Sequence, residues 1–191
     1  EGCREDGSSD EKLLLNAVEA AKKAEKVVIF AGLTDIYESE GFDRESMKMP
    51  AGHVELIEKI SEVNENVAVV LMCGSAVEVP WIDHVSAVLY AGLPGEAGGE
   101  AIADVLFGKV NPSGKLAETW SISYDDCICK EYYGEPYKDA QYREGIYVGY
   151  RYYETAGVRV RFPFGYGLSY TDFKYSDLKI EGNKVYVRED K

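Results

Sequence analysis

Four carboxylates crowd one short stretch of this chain: Asp35, then Glu38, Glu40 and Asp43 within Tyr37-Glu38-Ser39-Glu40-Gly41-Phe42-Asp43-Arg44. Such a run is either a solvated acidic loop or a place where protons are moved. Acid/base work on a glycosidic bond needs one carboxyl that protonates the leaving oxygen and then activates water. It also needs a second carboxylate across the sugar. Glu40 suits the first task, because Gly41 beside it lets the backbone bend. Asp43 and Arg44 can pair or bond locally and hold the loop. Spacing alone does not choose between Glu38 and Glu40.

The elements around this stretch put it at a strand tip. It follows the apolar run Val27–Gly32, read as a buried strand, and precedes Met47-Lys48-Met49-Pro50, where a proline can open a helix. In open α/β sheets ligands bind beyond the carboxyl ends of the strands. Upstream, Leu13, Leu14, Ala17, Ala20, Ala21 and Ala24 recur at helical spacing, with Ser9 or Asp10 as the cap and Lys22, Lys23 and Lys26 at the far end. Residues 1–12 read as a flexible lead-in. A second helix is expected from Ala51 to Val63, with Val54, Leu56, Ile57 and Ile60 as its stripe. Val67–Cys73 is apolar on both faces, as a central parallel strand should be. Ala87–Ala91 is a third strand, a helix runs from Glu96 to Phe107, and Leu116–Trp120 is a candidate fourth strand. The alternation predicts an α/β fold: a mostly parallel sheet flanked by helices, with right-handed crossovers.

From Ser121 to Gly165 the periodicity disappears and tyrosine becomes dense, from Tyr124 through Tyr137 to Tyr153. A segment of that kind packs on its own domain or on a neighbour. Phe173–Ile180 and Lys184–Arg188 then alternate about Glu181-Gly182-Asn183, which reads as a β-hairpin. Two strands alone are not stable in water, so the hairpin looks like the start of an all-β domain.

Composition removes several function classes. The 191 residues are 46% hydrophobic, enough for a core. A net charge of −13 argues against nucleic acid and anionic membranes, both of which need a basic footprint. No apolar run approaches the roughly 20 residues of a membrane span. The polar start without an initiator Met suggests a piece of a longer protein. Cys127-Ile128-Cys129 lacks redox and zinc spacing, and Cys73 sits in an apolar strand as a buried thiol. Reduced thiols point to the cytoplasm, with secretion left open. His53 and His84 have no ligand-spaced partners, so no metal site is expected, and His53 is placed on a helix surface. Gly92-Leu93-Pro94-Gly95-Glu96-Ala97-Gly98-Gly99 lacks the Lys of a P-loop and carries Glu96 where phosphate would sit. Tight strand-to-helix packing explains it better, and no cofactor is expected. Gly74-Ser75-Ala76 lacks the pattern of a nucleophile elbow.

The acidic loop, with Met49-Pro50 after it, resembles the catalytic loop of glycoside hydrolase family 3, the β-glucosidases and their relatives. Further segments are similar to that family in its order. They are Gly74-Ser75-Ala76-Val77-Glu78-Val79-Pro80-Trp81, the run Gly95–Gly108, Asn111-Pro112-Ser113-Gly114-Lys115-Leu116, the run Tyr142–Tyr153, and Phe162–Thr171. One departure is Ala76, where the family often has Pro. The resemblance implies an α/β sandwich domain over residues 13–171 and the beginning of a fibronectin type III-like domain over 172–191. It implies a retaining β-glycosidase acting on terminal non-reducing β-D-glucosyl residues of a β-glucoside or oligosaccharide. The nucleophile, an Asp, would come from a catalytic barrel that these residues do not contain. The general acid/base would be the Glu before Gly-(Phe/Tyr)-Asp-Arg, which is Glu40 here, with Glu38 the second choice. Taken alone the chain is expected to be inactive. The competing readings are a carbohydrate-binding module without chemistry and a nucleotide-binding α/β module. Exposed tyrosines and a partnerless hairpin also leave association into oligomers open.

Overall fold

A computed structural model describes residues 1–133 and 141–190; Tyr137 of the tyrosine-rich segment and Lys191 at the end of the hairpin fall outside them. The first helix, α1, spans Glu11–Ala21. Asp10 caps it: its extended backbone lets the carboxylate accept from the amides of Lys12 and Leu13. Leu14, Ala17 and Val18 pack on the core, while Ala20 is exposed. The residues before α1 are not a free lead-in. The Gly52 amide donates to the Gly7 carbonyl at 3.0 Å, Ser9 donates to Glu55, and a Cβ on Gly2 would collide with Leu56. The segment therefore straps across α2, which spans Ala51–Ser61 with Pro50 at its N-cap. Leu56, Ile57 and Ile60 are the buried face of α2, as their spacing requires.

Strands β1 (Val27–Gly32), β2 (Val67–Met72) and β3 (Ala87–Tyr90) form a parallel sheet in that order, with Val27 opposite Val67 and Ala68 opposite Ala87. β2 is central, and Val67, Val69, Val70 and Leu71 are buried from both sides. β1 departs from the buried strand read in the sequence. It is an edge strand, with Ile29 and Ala31 inward but Val28 and Phe30 exposed at 45% and 53%. Val28 and Phe30 lie on the sheet face opposite Ile29 and Ala31, and little packs over that face at β1. The crossover from β2 to β3 also differs from the simple alternation. It contains no α-helix, only a 3₁₀ turn at Ile82–His84, and its anchor is the fully buried Trp81.

Helix α3 spans Gly98–Leu106. Gly92 and Gly95 ahead of it serve the turn, with φ of 63° and 67° and open space around an added Cβ, and only Gly98, the first residue of α3, serves packing, since a Cβ there would strike Pro94 at 2.6 Å. Leu116–Trp120 is not a fourth parallel strand. Only Trp120–Ser121 is extended, as β4, and it pairs antiparallel with β5 (Val160–Phe162). The reason is Trp120, which leaves the sheet plane to pack edge-on against Tyr90 and Phe162, with ring centroids 5.2 and 5.9 Å away. The described part of the tyrosine-rich region is split, with Tyr153 hydrogen-bonded to Cys127 and Tyr150 stacked on Phe164 but Tyr133, Tyr142 and Tyr147 exposed, and it includes a helix the sequence did not predict, α4 (Tyr150–Ala156). Gly157 ends α4 in the left-handed conformation. The hairpin of β6 (Lys174–Glu181) and β7 (Lys184–Asp190) forms as expected, and its side chains are exposed on both faces.

Two motifs far apart in sequence hold each other. The Asn111 side chain accepts from Ser169 Oγ at 2.9 Å and from the Tyr170 amide at 3.1 Å, and it donates to Thr171 Oγ1 at 2.9 Å. Tyr170 in turn donates its hydroxyl to the Val105 carbonyl of α3.

Candidate active site

The acidic stretch lies beyond the carboxyl end of β1, as its position implied. Two turn hydrogen bonds shape its start, from the amides of Tyr37 and Glu38 to the Thr34 carbonyl. An isolated antiparallel bridge then joins Ser39 to Phe42. Glu40 and Gly41 are the two residues between those partners, at the tip of a miniature hairpin. Glu40 is exposed, and among the described residues its carboxylate makes no hydrogen bond and no ion pair. Gly41 does not take a positive φ, and a Cβ there would meet nothing within 4 Å. The bend at the tip therefore does not require glycine on this chain's own account.

Glu38 behaves differently. It is half-buried, and its Oε2 accepts the Gly74 amide at 2.8 Å. On the other side of the tip, Arg44 donates from one guanidinium nitrogen to Ser75 Oγ at 2.7 Å and to the Ala76 carbonyl at 3.1 Å. Its second nitrogen reaches the Ser46 carbonyl at 3.3 Å. The loop carrying Glu40 is thus fastened on both flanks to one turn, Gly74-Ser75-Ala76, at the end of β2. Of the two local roles read for Asp43 and Arg44, pairing gives way to bonding elsewhere. Arg44 holds the turn, and Asp43 lies against Tyr133, whose phenol pKa its charge raises.

Two carboxylates join the site that sequence reasoning missed. Glu118 Oε1 accepts the Ala76 amide at 3.1 Å, and Glu78 Oε1 accepts the Tyr124 amide at 3.1 Å. The one sequence signal for Glu118 is an acid set within the otherwise apolar approach to Trp120. Loss of hydration raises the Glu118 pKa, opposed by the Ala76 bond and by the nearby Arg44 charge. Behind the turn, burial and then the Glu38 charge push the Cys73 thiol up to about 12, so it is an inert core thiol, as read from its strand. Tyr90 is raised mainly by burial, and also feels Cys73, Glu118 and Glu38.

His53 is not on a helix surface. It is half-buried beneath the site, with Nδ1 3.0 Å from the Gly32 carbonyl and 3.3 Å from the Gly32 amide. Burial lowers its pKa from the ordinary 6.5, more than the Gly32 bond raises it. The unfolded chain therefore takes up a proton first as pH falls, and folding stability drops through the acid side of that value. Against the wild type, His53→Gln should lose less melting temperature between about pH 7 and about pH 5. Parallel curves for the two proteins would contradict this.

No group of three or more potential metal ligands occurs among the described residues. Two surface hollows among the described residues lie away from the loop, one beside Ser61 and Asn64, the other beside Asp125 and Tyr152. The tip around Glu40 is an open, exposed edge.

The comparisons with known proteins bear on what completes it. A profile of the Glycosyl hydrolase family 3 C-terminal domain matches residues 1–170. The chain belongs to glycoside hydrolase family 3. Within that family it is 51% identical over 188 residues to thermostable beta-glucosidase B of Acetivibrio thermocellus, covering 97% of this chain but 25% of that protein. It is 44% identical over 174 residues to an exo-alpha-(1->6)-L-arabinopyranosidase of Bifidobacterium longum, covering 90% of this chain and 23% of that protein. Among solved structures, the family 3 beta-glucosidase of Bifidobacterium adolescentis superposes with a TM-score of 0.87 at 42% identity, over 98% of this chain and 29% of that one. The beta-glucosidase of Kluyveromyces marxianus in complex with glucose gives 0.85 at 40% identity, over 93% and 22%. This family 3 C-terminal domain thus spans about a quarter of the length of its relatives.

Proposed function

We propose that this chain supplies the general acid/base of a retaining β-glycosidase, with Glu40 as that group, to a catalytic barrel outside residues 1–191. The observation that carries the proposal is the contrast between two neighbouring carboxylates. Glu38 is committed to the Gly74 amide, whereas Glu40 is exposed at the tip of a loop pinned on both sides. A proton donor must be free to face its substrate and yet be held in place. Glu38 accordingly acts as an anchor.

The barrel contributes the nucleophile, and the two carboxyl groups then sit about 5–5.5 Å apart across the sugar. Glu40 first protonates the departing oxygen. The barrel's carboxylate bonds to the anomeric carbon as that oxygen leaves. Glu40, now ionised, takes a proton from water, which attacks the same carbon and frees the nucleophile. Closure by the barrel removes water from around Glu40 and brings the second negative charge near, and both raise its pKa. The substrate is a β-glucoside or an oligosaccharide with a terminal non-reducing β-D-glucosyl residue. Residues 13–171 form the sandwich domain in this reading, and 172–191 open a fibronectin type III-like domain whose further strands cover the exposed hairpin.

The decisive test uses Glu40→Ala in the complete enzyme with an activated aryl β-glucoside. Azide carries no proton to remove, so it attacks the glycosyl intermediate without a base. Added azide should restore turnover and give the β-glucosyl azide. An azide-insensitive Glu40→Ala, or one as active as wild type, would overturn the assignment. The 191-residue chain by itself should not turn over an aryl β-glucoside, because it lacks the nucleophile. Clear turnover would contradict the division of labour.

A further inference from the structure

The turn Gly74-Ser75-Ala76 carries more polar contacts than a connection between β2 and the buried Val77 needs. Glu38 takes the amide of Gly74, Arg44 takes the hydroxyl of Ser75 and the carbonyl of Ala76, and Glu118 takes the amide of Ala76. Both anchors of the Glu40 loop land on this one turn. Glu118 reaches it from a different part of the fold, just before β4, and belongs to no part of the loop. Arg44 is thus drawn to a turn that already has a negative charge on it, and Glu118 brings that charge.

We propose that Glu118 is a positioning residue for the acid/base step: by binding the Ala76 amide and facing Arg44, it fixes the turn to which the Glu40 loop is fastened. The proposal rests on Glu40 as the acid/base. Glu118 itself touches neither sugar nor water in the reaction. Its carboxylate does two separable things: it accepts a hydrogen bond, and its charge acts on the nearby Arg44. Without the first, the Ala76 amide loses its protein acceptor. Without the second, Arg44 is held less firmly at the turn, with Asp43 and Glu45 beside it in sequence as competing acids. Either change lets the tip of the loop shift, and proton transfer is sensitive to shifts of that kind.

The two functions can be read separately in the complete enzyme. Glu118→Gln keeps an oxygen for the Ala76 amide and removes the charge; Glu118→Ala removes both. The readout is kcat/KM on two substrates, methyl β-glucoside, whose alkoxide must be protonated to leave, and 2,4-dinitrophenyl β-glucoside, whose phenolate leaves unaided. A misplaced acid should lower kcat/KM for the methyl glucoside on the order of 10–100-fold in Glu118→Ala while the dinitrophenyl glucoside changes little. Glu118→Gln should fall between Ala and wild type. Equal losses on both substrates, or no loss on either, would overturn the proposal, since a purely structural role cannot tell the leaving groups apart. Should Glu118→Ala fail to fold, Glu118→Gln decides by the same ratio. Glu40→Gln is measured alongside. If it shows the leaving-group contrast and the Glu118 variants do not, only the positioning role falls; if it too shows none, the acid/base reading falls and the proposal with it.

Discussion

Glu40→Gln in the complete enzyme should cut kcat/KM for an alkyl β-glucoside by about 10²–10⁴-fold, the usual worth of a general acid. For a dinitrophenyl β-glucoside the same variant should lose far less in kcat/KM. The amide keeps the size of the side chain but has no proton to give. The cost therefore tracks how badly the leaving oxygen needs one. The second step is affected differently. Water must be deprotonated whatever the aglycone was, so kcat on the activated substrate should collapse while kcat/KM survives, and KM should fall as the glycosyl intermediate accumulates. Glu38→Gln is the matched control. Its oxygen can still accept the Gly74 amide, so it should retain most activity and show no dependence on the leaving group. Reversal of the two results, with Glu38→Gln impaired on poor leaving groups and Glu40→Gln like wild type, would move the acid two residues upstream.

A second substitution should be as damaging for a mechanical reason. A Cβ added at Gly32 would sit 1.7 Å from the Met72 carbonyl oxygen, well inside any tolerable contact. The obstacle is backbone, so no side chain can rotate away. The same oxygen accepts the Leu33 amide at 3.0 Å, so β1 cannot step back without losing its last link to β2. Overpacked cores typically lose about 1–3 kcal/mol, and a backbone clash belongs at or beyond the top of that range. Gly32→Ala should lower the urea midpoint accordingly, with an unchanged m-value. It should also lower activity in the protein that still folds, because the Glu40 loop leaves the sheet at this point. An unfolding free energy within about 0.5 kcal/mol of wild type would mean the strands are not so close here.

How much of this was readable beforehand follows from the range of each interaction. The two-sided apolarity of Val67–Leu71 announces a central strand, because burial on both faces leaves a local trace. The stripe of α2 and the Asp10 cap are equally local. The edge position of β1 is not: Val27–Gly32 looks like β2 in composition, and the exposure of Val28 and Phe30 depends on what packs over one face of the sheet. The missing helix between β2 and β3 and the diversion of Leu116–Trp120 reflect Trp81 and Trp120, whose pull on the chain depends on partners far away in sequence. The position of the acidic loop beyond the carboxyl end of β1 was legible, since it follows an apolar run and precedes Pro50. Its supports were not. Glu118 lies 42 positions from Ala76, and His53 lies 21 from Gly32. No periodicity records pairings of that length.

The Asn111 side chain has one further consequence. Its carbonyl end and its amino end are both spoken for, by Ser169 and Tyr170 on one side and Thr171 on the other, immediately ahead of β6. Neither aspartate, which lacks the donor, nor leucine, which lacks both, can replace it. The base of the hairpin is thus fastened by Asn111 together with the Tyr170 bond to Val105, and any module continuing from the hairpin takes its bearing from these contacts.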